Sequence, residues 1–485
     1  MLPQVFQNKE QLDIDSVAAD GHLLCVLPSV EFAVDKKRFA MAGQVEARLA
    51  RRKWETKDLA TKPLSAELAN GAQVCWVVLD MTATAIEQQQ RMRDALCLLL
   101  DEHPTHLDIA VYGRDSEQRN NAELAIYTAA VNAVLLPNFK KSPAPASLAT
   151  IALHGYEAKD GFHSALARAE GNLLTRSLTV LPPNELTPRR YREQIRLLAR
   201  DHGWQIEEFD FNTLREMGAG AFCAVAQGSA QDDAAIVRLR YAVGHHDNSV
   251  ALVGKGICFD TGGHNLKPAR HMLGMNEDMN GSAVVLGILL AATKIGLPLQ
   301  IDAWLAIAQN HIGPLAYKQN DVVTALDGTA IEIVHTDAEG RMVLADTLVM
   351  AAREQPNLIV SFATLTGSMI TALGSRYSGV LSNDIGLLEK AVAVGRSSGE
   401  RVCAFPSDAD YDTALDSKVA DVKQCTLDGD ADHILAARFL SRFVGGTRWL
   451  HVDLSAANCK GGLGAVATDV TGFGVRWGTD FLQRS

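Results

Sequence analysis

The chain has 485 residues, 47% hydrophobic and 21% charged, which excludes wholesale disorder and predicts two or more domains, each able to bury its own core. Its 46 Lys+Arg against 57 Asp+Glu leave a net charge of −11, which argues against nucleic acid or an anionic membrane as partner, because phosphate contacts need clustered cations. The eight cysteines (Cys25, Cys75, Cys97, Cys223, Cys258, Cys403, Cys425 and Cys459) are scattered without a C-x-x-C, so they read as reduced thiols of a cytoplasmic protein. The first residues lack a basic segment followed by an apolar one, and no run of 18 apolar residues occurs, so neither a signal peptide nor a membrane span is expected.

In chain order, a strand is predicted over 72–80, a helix over 86–103, a strand over 106–113, a helix over 122–136 and a strand over 147–156. Strands alternating with helices predict a parallel α/β layer. The stretch 138–146 reads as a Pro-containing surface loop, and Arg51, Arg52 and Lys53 as a solvated basic face. Pro182-Pro183-Asn184 breaks a helix-like run. Thr187 is then a plausible N-cap with Pro188 at the first helical position, and the helix runs to Arg200. Buried strands are expected over 248–259, 299–308, 357–365 and 448–456, and an apolar helix over 282–296. The fold class is therefore α/β in two domains. A smaller N-terminal α/β domain spans 1–170, and a larger C-terminal α/β domain over 171–485 carries a central mixed, mostly parallel sheet.

Two polar clusters stand out. In 254–281, Lys255 and Asp260 bracket a strand end, Gly262 and Gly263 follow, then Lys267, and Asp278 precedes the apolar helix. In 335–346, Asp337, Glu339 and Arg341 fall on alternate residues, which in extended geometry face one side. A single Asp-x-Glu-x-Arg is compatible with salt bridges and helix caps. Both clusters together, flanked by glycines, point to a site for two divalent cations, which need bridging carboxylates and several oxygen ligands. A lysine in such a site either ligates a metal as the neutral amine or stabilises an oxyanion as the ammonium. Arg341 offers a fork suited to a planar anion. There is no H-E-x-x-H and no phosphate loop.

GKGICFDTGG, LKP, the DM-x-G at 278–281 and TDAEGR, in this order and spacing, resemble the leucyl aminopeptidase (cytosol aminopeptidase) family. PPNELTP (182–188), MGAGAFCAVAQGS (217–229), ATLTG (363–367), SND (382–384), SGERV (398–402) and GFGVR (472–476) are further landmarks of the resemblance, which is strong over roughly 175–485. It implies a metal-dependent aminopeptidase that releases N-terminal, leucine-like or varied residues from peptides by a metal-activated water. Two divalent ions are implied, zinc or manganese, with magnesium and cobalt also compatible. Asp260 and Glu339 would bridge them, Lys255 and Asp278 would complete the tighter site, and Asp337 the more exchangeable one. Lys267 would polarise the scissile carbonyl. Arg341 would hold a bicarbonate ion as general base, helped by backbone around Gly340 and Leu365.

The resemblance also implies a homohexamer acting on peptide substrates in the cytoplasm. The chain departs from the family pattern at His335, Asn280, His264, the stretch 433–440 and the loop 309–318. His264 and His433 are expected to line the substrate pocket, and His451 to be a satisfied core residue. These departures leave room for a narrower dipeptidase, such as one cleaving Cys-Gly. Basic runs at 36–37, 48–53 and 139–141 leave room for a DNA-binding regulator acting through the N-terminal domain, against the acidic balance.

Overall fold

The computed structural model describes residues 2–28, 41–142, 147–229, 233–243 and 248–484. The basic pair at 36–37 and part of the loop at 138–146 lie outside the described residues. The chain forms two compact units. The first comprises 1–173, 396–400 and 460–471, and the second 174–395, 401–459 and 472–485.

Among the described residues the first unit holds six strands: β1 Gln4–Asn8, β2 His22–Leu27, β3 Leu64–Glu67, β4 Gln73–Val78, β5 His106–Val111 and β6 Thr150–His154. Their order is β1-β6-β5-β2-β4-β3, and only the edge strand β3 runs antiparallel. The central strand β2, HLLCVL, is buried at every position, as a strand covered on both faces must be. Helix Ala85–Leu100 starts with a capping box between Thr84 and Glu87. The second helix spans Asp115–Asn132, so the expected range of 122–136 is corrected. Its first turns are polar but carry Asp115 and Glu117, which favour a helix N-terminus, so the helix starts before the apolar periodicity does.

The second unit is built on eight strands: β7 Gln205–Asp210, β8 Ala235–Ala242, β9 Ser249–Asp260, β10 Gln300–Asn310, and, after two short strands, β13 Leu358–Ala363, β14 Ser378–Ser382, β15 Val402–Ala404 and β17 Trp449–Asp453. Their order is β15-β14-β17-β13-β9-β10-β8-β7. The four middle strands β17, β13, β9 and β10 are mutually parallel, while β14, β8 and β7 add antiparallel pairings. A separate small sheet joins β11 Val322–Thr324, β12 Ala330–Glu332 and β16 Val422–Lys423. Thr187 caps helix Pro188–His202 by accepting from the Arg190 amide.

Two apolar helices, Asn280–Ile295 and Glu339–Arg353, pack on the large sheet with Ala251, Val253, Ile359, Ala283, Val343 and Leu348 all buried. Met275–Ile295 is long and apolar enough to cross a membrane by length and composition. However, 83% of its apolar window is buried inside the fold, which marks a core helix. All eight cysteines are free thiols.

Candidate metal centre and active site

The four parallel strands end on one edge of the sheet, where open α/β sheets bind ligands. Their last residues or the turns just after them bring Asp260 (β9), Asn310 (β10), Thr364 and Leu365 (after β13) and Asp453 (β17). A cavity of about 490 Å³ opens there, lined by Lys255, Asp260, Lys267, Asp278, Asp337, Glu339, Arg341, Leu365, Asp432 and Asp453 among others. A larger cavity of about 1180 Å³ is lined by Phe211, Ala224, Leu315 and Val323, with Asp233 the one acidic residue among the described residues that line it. The loop from Gln309 contributes His311 and Ile312 to that larger space. Size favours the larger cavity, but the reactive groups converge in the smaller one.

Lys255 and Asp260 are five residues apart on one strand, so strict alternation would put them on opposite faces. The pairing of β9 with β10 breaks register between Ile257↔Ala308 and Asp260↔Asn310, with one extra residue on β9. This irregularity turns Asp260 into the same cavity as Lys255. Asp278 lies in a 3-10 turn, Met275–Met279, that leads into helix Asn280–Ile295. The helix start lies against the sheet through glycines. A Cβ on Gly281 would sit 2.2 Å from the Phe362 carbonyl oxygen, and one on Gly254 would sit 2.6 Å from Ser282 Cα. The close approach sets Asp278 Oδ1 at 2.8 Å from Lys255 Nζ, while Thr364 Oγ1 donates to the same oxygen at 2.8 Å.

After β9 the chain turns at Gly262 (φ 85°) and Gly263 (φ 64°), left-handed conformations that glycine adopts without strain. The turn brings Lys267 back, with its Nζ 2.9 Å from Asp260 Oδ2 and also paired with Asp337. The second cluster is not extended, which corrects the alternate-residue reading. Glu339 and Arg341 lie in the first turn of helix Glu339–Arg353, and Asp337 in the turn before it. The first turn of that helix delivers Glu339 Oε1 to 2.8 Å from Lys255 Nζ.

One carboxylate oxygen from each of Asp260, Asp337 and Glu339 lies within 4.8 Å of the other two. Burial, aided by repulsion from Glu339, raises the Asp260 carboxyl, and burial pushes Asp278 up to about 8 and Asp337 to about 7. For Glu339, burial is outweighed by Lys255 and Lys267, which hold it below the usual range. Burial would lower both lysines, yet the surrounding carboxylates keep them strongly protonated. Four carboxyl groups against two ammonium groups leave the cluster short of positive charge. Asp278 Oδ2 and Glu339 Oε2 are buried with no hydrogen-bond partner. Hard oxygen donors left unsatisfied in this way fit divalent cations.

The fit is different for an anion at Arg341. Its guanidinium is 2% exposed; Nη2 donates to Asp432 Oδ1 at 2.8 Å and Oδ2 at 2.9 Å, and Nη1 donates to the Gln424 carbonyl at 3.1 Å. The fork expected to hold bicarbonate is thus partly occupied by the protein itself, Nη2 by the Asp432 carboxylate and Nη1 by a backbone carbonyl, while Nε is buried without a partner.

Leu365 lines the cavity, and Gly340 backs it. A Cβ on Gly340 would sit 2.8 Å from Lys255 Nζ and 2.9 Å from Leu365 Cδ1. His264 is exposed and His433 is turned to Ser368 and Phe405; neither lines the cavity, which corrects that expectation. His335 does line it, and its Nδ1 accepts from the Asp337 amide at 3.2 Å. Burial, with help from Lys267, keeps this imidazole neutral. Asn280 points its amide to Thr179 Oγ1 at 3.0 Å. His451 is buried with Nδ1 on Ser361, but its Nε2 has no partner, so it is only half satisfied.

Asn310, Tyr317, His271, Gln424, Asp432 and Asp453 were not legible as site residues. Asn310 donates to Asp260 Oδ1 at 2.8 Å, and Tyr317 to the Thr336 carbonyl at 2.8 Å. The signal available for Asn310 and Asp453 was their place at the carboxyl ends of parallel strands.

Fold and cluster together define a hydrolytic type of site, carboxylates and lysines gathered at the carboxyl edge of a parallel sheet. The catalytic-domain model of the cytosol aminopeptidase family matches residues 173–478. The chain belongs to this family, whose members are metal-dependent aminopeptidases. It is 41% identical over 357 residues to a probable cytosol aminopeptidase of Stutzerimonas stutzeri, covering 72% of this chain and 71% of that one. A probable cytosol aminopeptidase of Roseiflexus castenholzii is 41% identical over 62% of this chain and 61% of its own length. Among solved structures, the bottromycin maturation enzyme BotP in complex with Mn superposes with a TM-score of 0.84 at 32% identity, covering 96% of this chain and 99% of that one.

Proposed function

We propose that the protein is a two-metal aminopeptidase that removes N-terminal residues from peptides. The observation that carries this reading is the cluster of Asp260, Asp337 and Glu339 within 4.8 Å, extended by the Lys255–Asp278 pair, in one cavity with unsatisfied carboxylate oxygens. Asp260 and Glu339 would bridge two divalent ions, Lys255 and Asp278 would complete one site, and Asp337 the other. Manganese fits the oxygen-rich donor set, as in the Mn-bound relative; zinc, cobalt and magnesium are compatible. Such ions supply Lewis acidity that lowers the pKa of water. Cations among these carboxylates also favour the neutral amine of Lys255 by repulsion.

Lys267 holds its proton between Asp260 and Asp337, and an ammonium there stabilises negative charge developing on a scissile carbonyl oxygen. Thr364, Leu365 and Leu454 line the cavity, and Met275, Ile370 and Leu427 offer apolar surface to a first side chain. This supports leucine-like residues over charged ones. A homohexamer in the cytoplasm, with the N-terminal unit serving assembly, belongs to the same reading and rests on the family.

Purified protein assayed on leucine p-nitroanilide and a dipeptide panel that includes Cys-Gly tests it. Activity lost on chelation and restored by manganese is expected. Hydrolysis of Cys-Gly alone would move the assignment to a narrow dipeptidase, and none with any metal would overturn it.

A further inference from the structure

Three cations face the cavity from below, and each is already committed. Lys255 serves Asp278 and Glu339, Lys267 serves Asp260 and Asp337, and Arg341 serves Asp432. The last pairing joins residues 91 positions apart and is two-pronged, with one guanidinium nitrogen on both carboxylate oxygens.

The Asp432 carboxylate is held in place from both sides. It opens helix Asp432–Ser441, whose N-terminus favours a negative charge. Ala431 before it takes a left-handed backbone, φ 51°, which a residue with a Cβ adopts only under constraint. His433 after it is fixed to Ser368 twice: its amide donates to Oγ at 2.9 Å, and its Nδ1 lies 3.0 Å from the same oxygen. The Asp432 side chain keeps 22% exposure and lines the cavity that holds the carboxylate cluster. An external anion brought to Arg341 would meet this carboxylate, with both Nη atoms committed and only the buried Nε left to donate.

We propose that Asp432 is a resident replacement for the bicarbonate expected at Arg341, and that it is the proton-transfer carboxylate of the peptidase. This rests on the aminopeptidase reading. In the step, a water O–H bond breaks, the oxygen forms the new bond to the scissile carbonyl carbon, and the proton moves to Asp432. When the C–N bond breaks, that proton passes to the departing amine nitrogen and Asp432 returns to the carboxylate. Peptide and water are consumed, acid and amine are produced, and no other reactant is needed.

The test uses full-length metal-loaded protein in buffer stripped of carbon dioxide. Wild-type kcat/KM is expected to be unchanged by added bicarbonate. Asp432→Ala is expected to lose about 100-fold or more and to recover in part with bicarbonate or formate, which refill the fork. Asp432→Asn, which keeps the shape and fills the fork with an amide, is expected to lose as much and not recover. A parallel arm measures binding of 13C-bicarbonate by NMR. Wild type is expected to show none that Arg341→Met abolishes, whereas Asp432→Ala is expected to show it. Bicarbonate-dependent wild-type activity, Arg341-dependent bicarbonate binding by wild type, or full activity of folded Asp432→Asn would each overturn the proposal. If wild type cleaves no peptide, the proton-transfer role falls with the aminopeptidase reading, while the binding arm still decides whether Asp432 fills the fork.

Discussion

Gly281→Ala would add one methyl group at the point where helix Asn280–Ile295 meets the sheet. That Cβ would lie 2.2 Å from the Phe362 carbonyl oxygen, 2.9 Å from its carbon and 3.0 Å from the Lys255 amide nitrogen. A carbon–oxygen contact relaxes at about 3.3 Å, so the helix start must withdraw by about 1 Å. All three obstacles are backbone, so no rotamer change relieves them. Overpacking of this kind costs about 1–3 kcal/mol, and the gain of up to about 1 kcal/mol from replacing a helical glycine by alanine offsets only part of it. The same withdrawal carries Asp278, three residues earlier, away from Lys255, now 2.8 Å distant. A misplacement of about 1 Å costs on the order of 100-fold in rate. Urea unfolding, manganese affinity and kcat/KM on leucine p-nitroanilide should therefore all worsen. Gly43→Ala in helix Ala42–Arg52, with nothing within 4 Å of its Cβ, is the control and should be neutral or stabilising. Gly281→Ala with wild-type stability, metal affinity and activity would show that this glycine does not set the approach of the helix to the sheet.

Lys267→Met should lower kcat by about 100- to 1,000-fold while leaving metal affinity unchanged or tighter, because the ammonium that competes with cations for Asp260 is gone. A variant that loses metal instead would show Lys267 to be structural. Asp346→Ala should strand the buried Phe222 and Leu326 amides, each now 2.8 Å from its carboxylate. At about 1–3 kcal/mol per orphaned donor, urea unfolding should register a loss of about 2–6 kcal/mol, and no loss would contradict the pairing. Burial, then the Arg341 charge, depresses His451 to about 3, against about 6.5 unfolded. Its contribution to stability is thus fully present above about pH 6.5 and lost as pH falls toward 3, at up to about 1.4 kcal/mol per pH unit. His451→Gln should flatten the stability profile between pH 6.5 and 5 by about 2 kcal/mol, and an equally steep profile in both proteins would remove His451 as the cause.

The strands of the parallel sheets were legible because their burial on both faces writes itself as continuous apolar runs, as in Val250–Val253 of β9. Thr187-Pro188 was legible because capping chemistry is local. The irregularity that aligns Lys255 with Asp260 was not, since it exists only in the pairing with β10. Glu339 and Arg341 were misread as extended because alternation is visible in sequence, whereas a helix start after Ala338 carries no capping side chain to announce it. Asp432 escaped for a third reason. Its partner is 91 residues away, and one of three aspartates in DGDADH has the look of a solvated loop. The short strands β11, β12 and β16 are two or three residues long, too brief for any periodicity to register.

Two metal ions are expected among Lys255, Asp260, Asp278, Asp337 and Glu339. Anomalous diffraction at the manganese edge from crystals of manganese-loaded protein measures this directly. Two peaks per chain should appear in that cluster, about 3.5–4 Å apart, with Glu339 and Asp260 touching both. A single ion, none, or ions bound only elsewhere would contradict it.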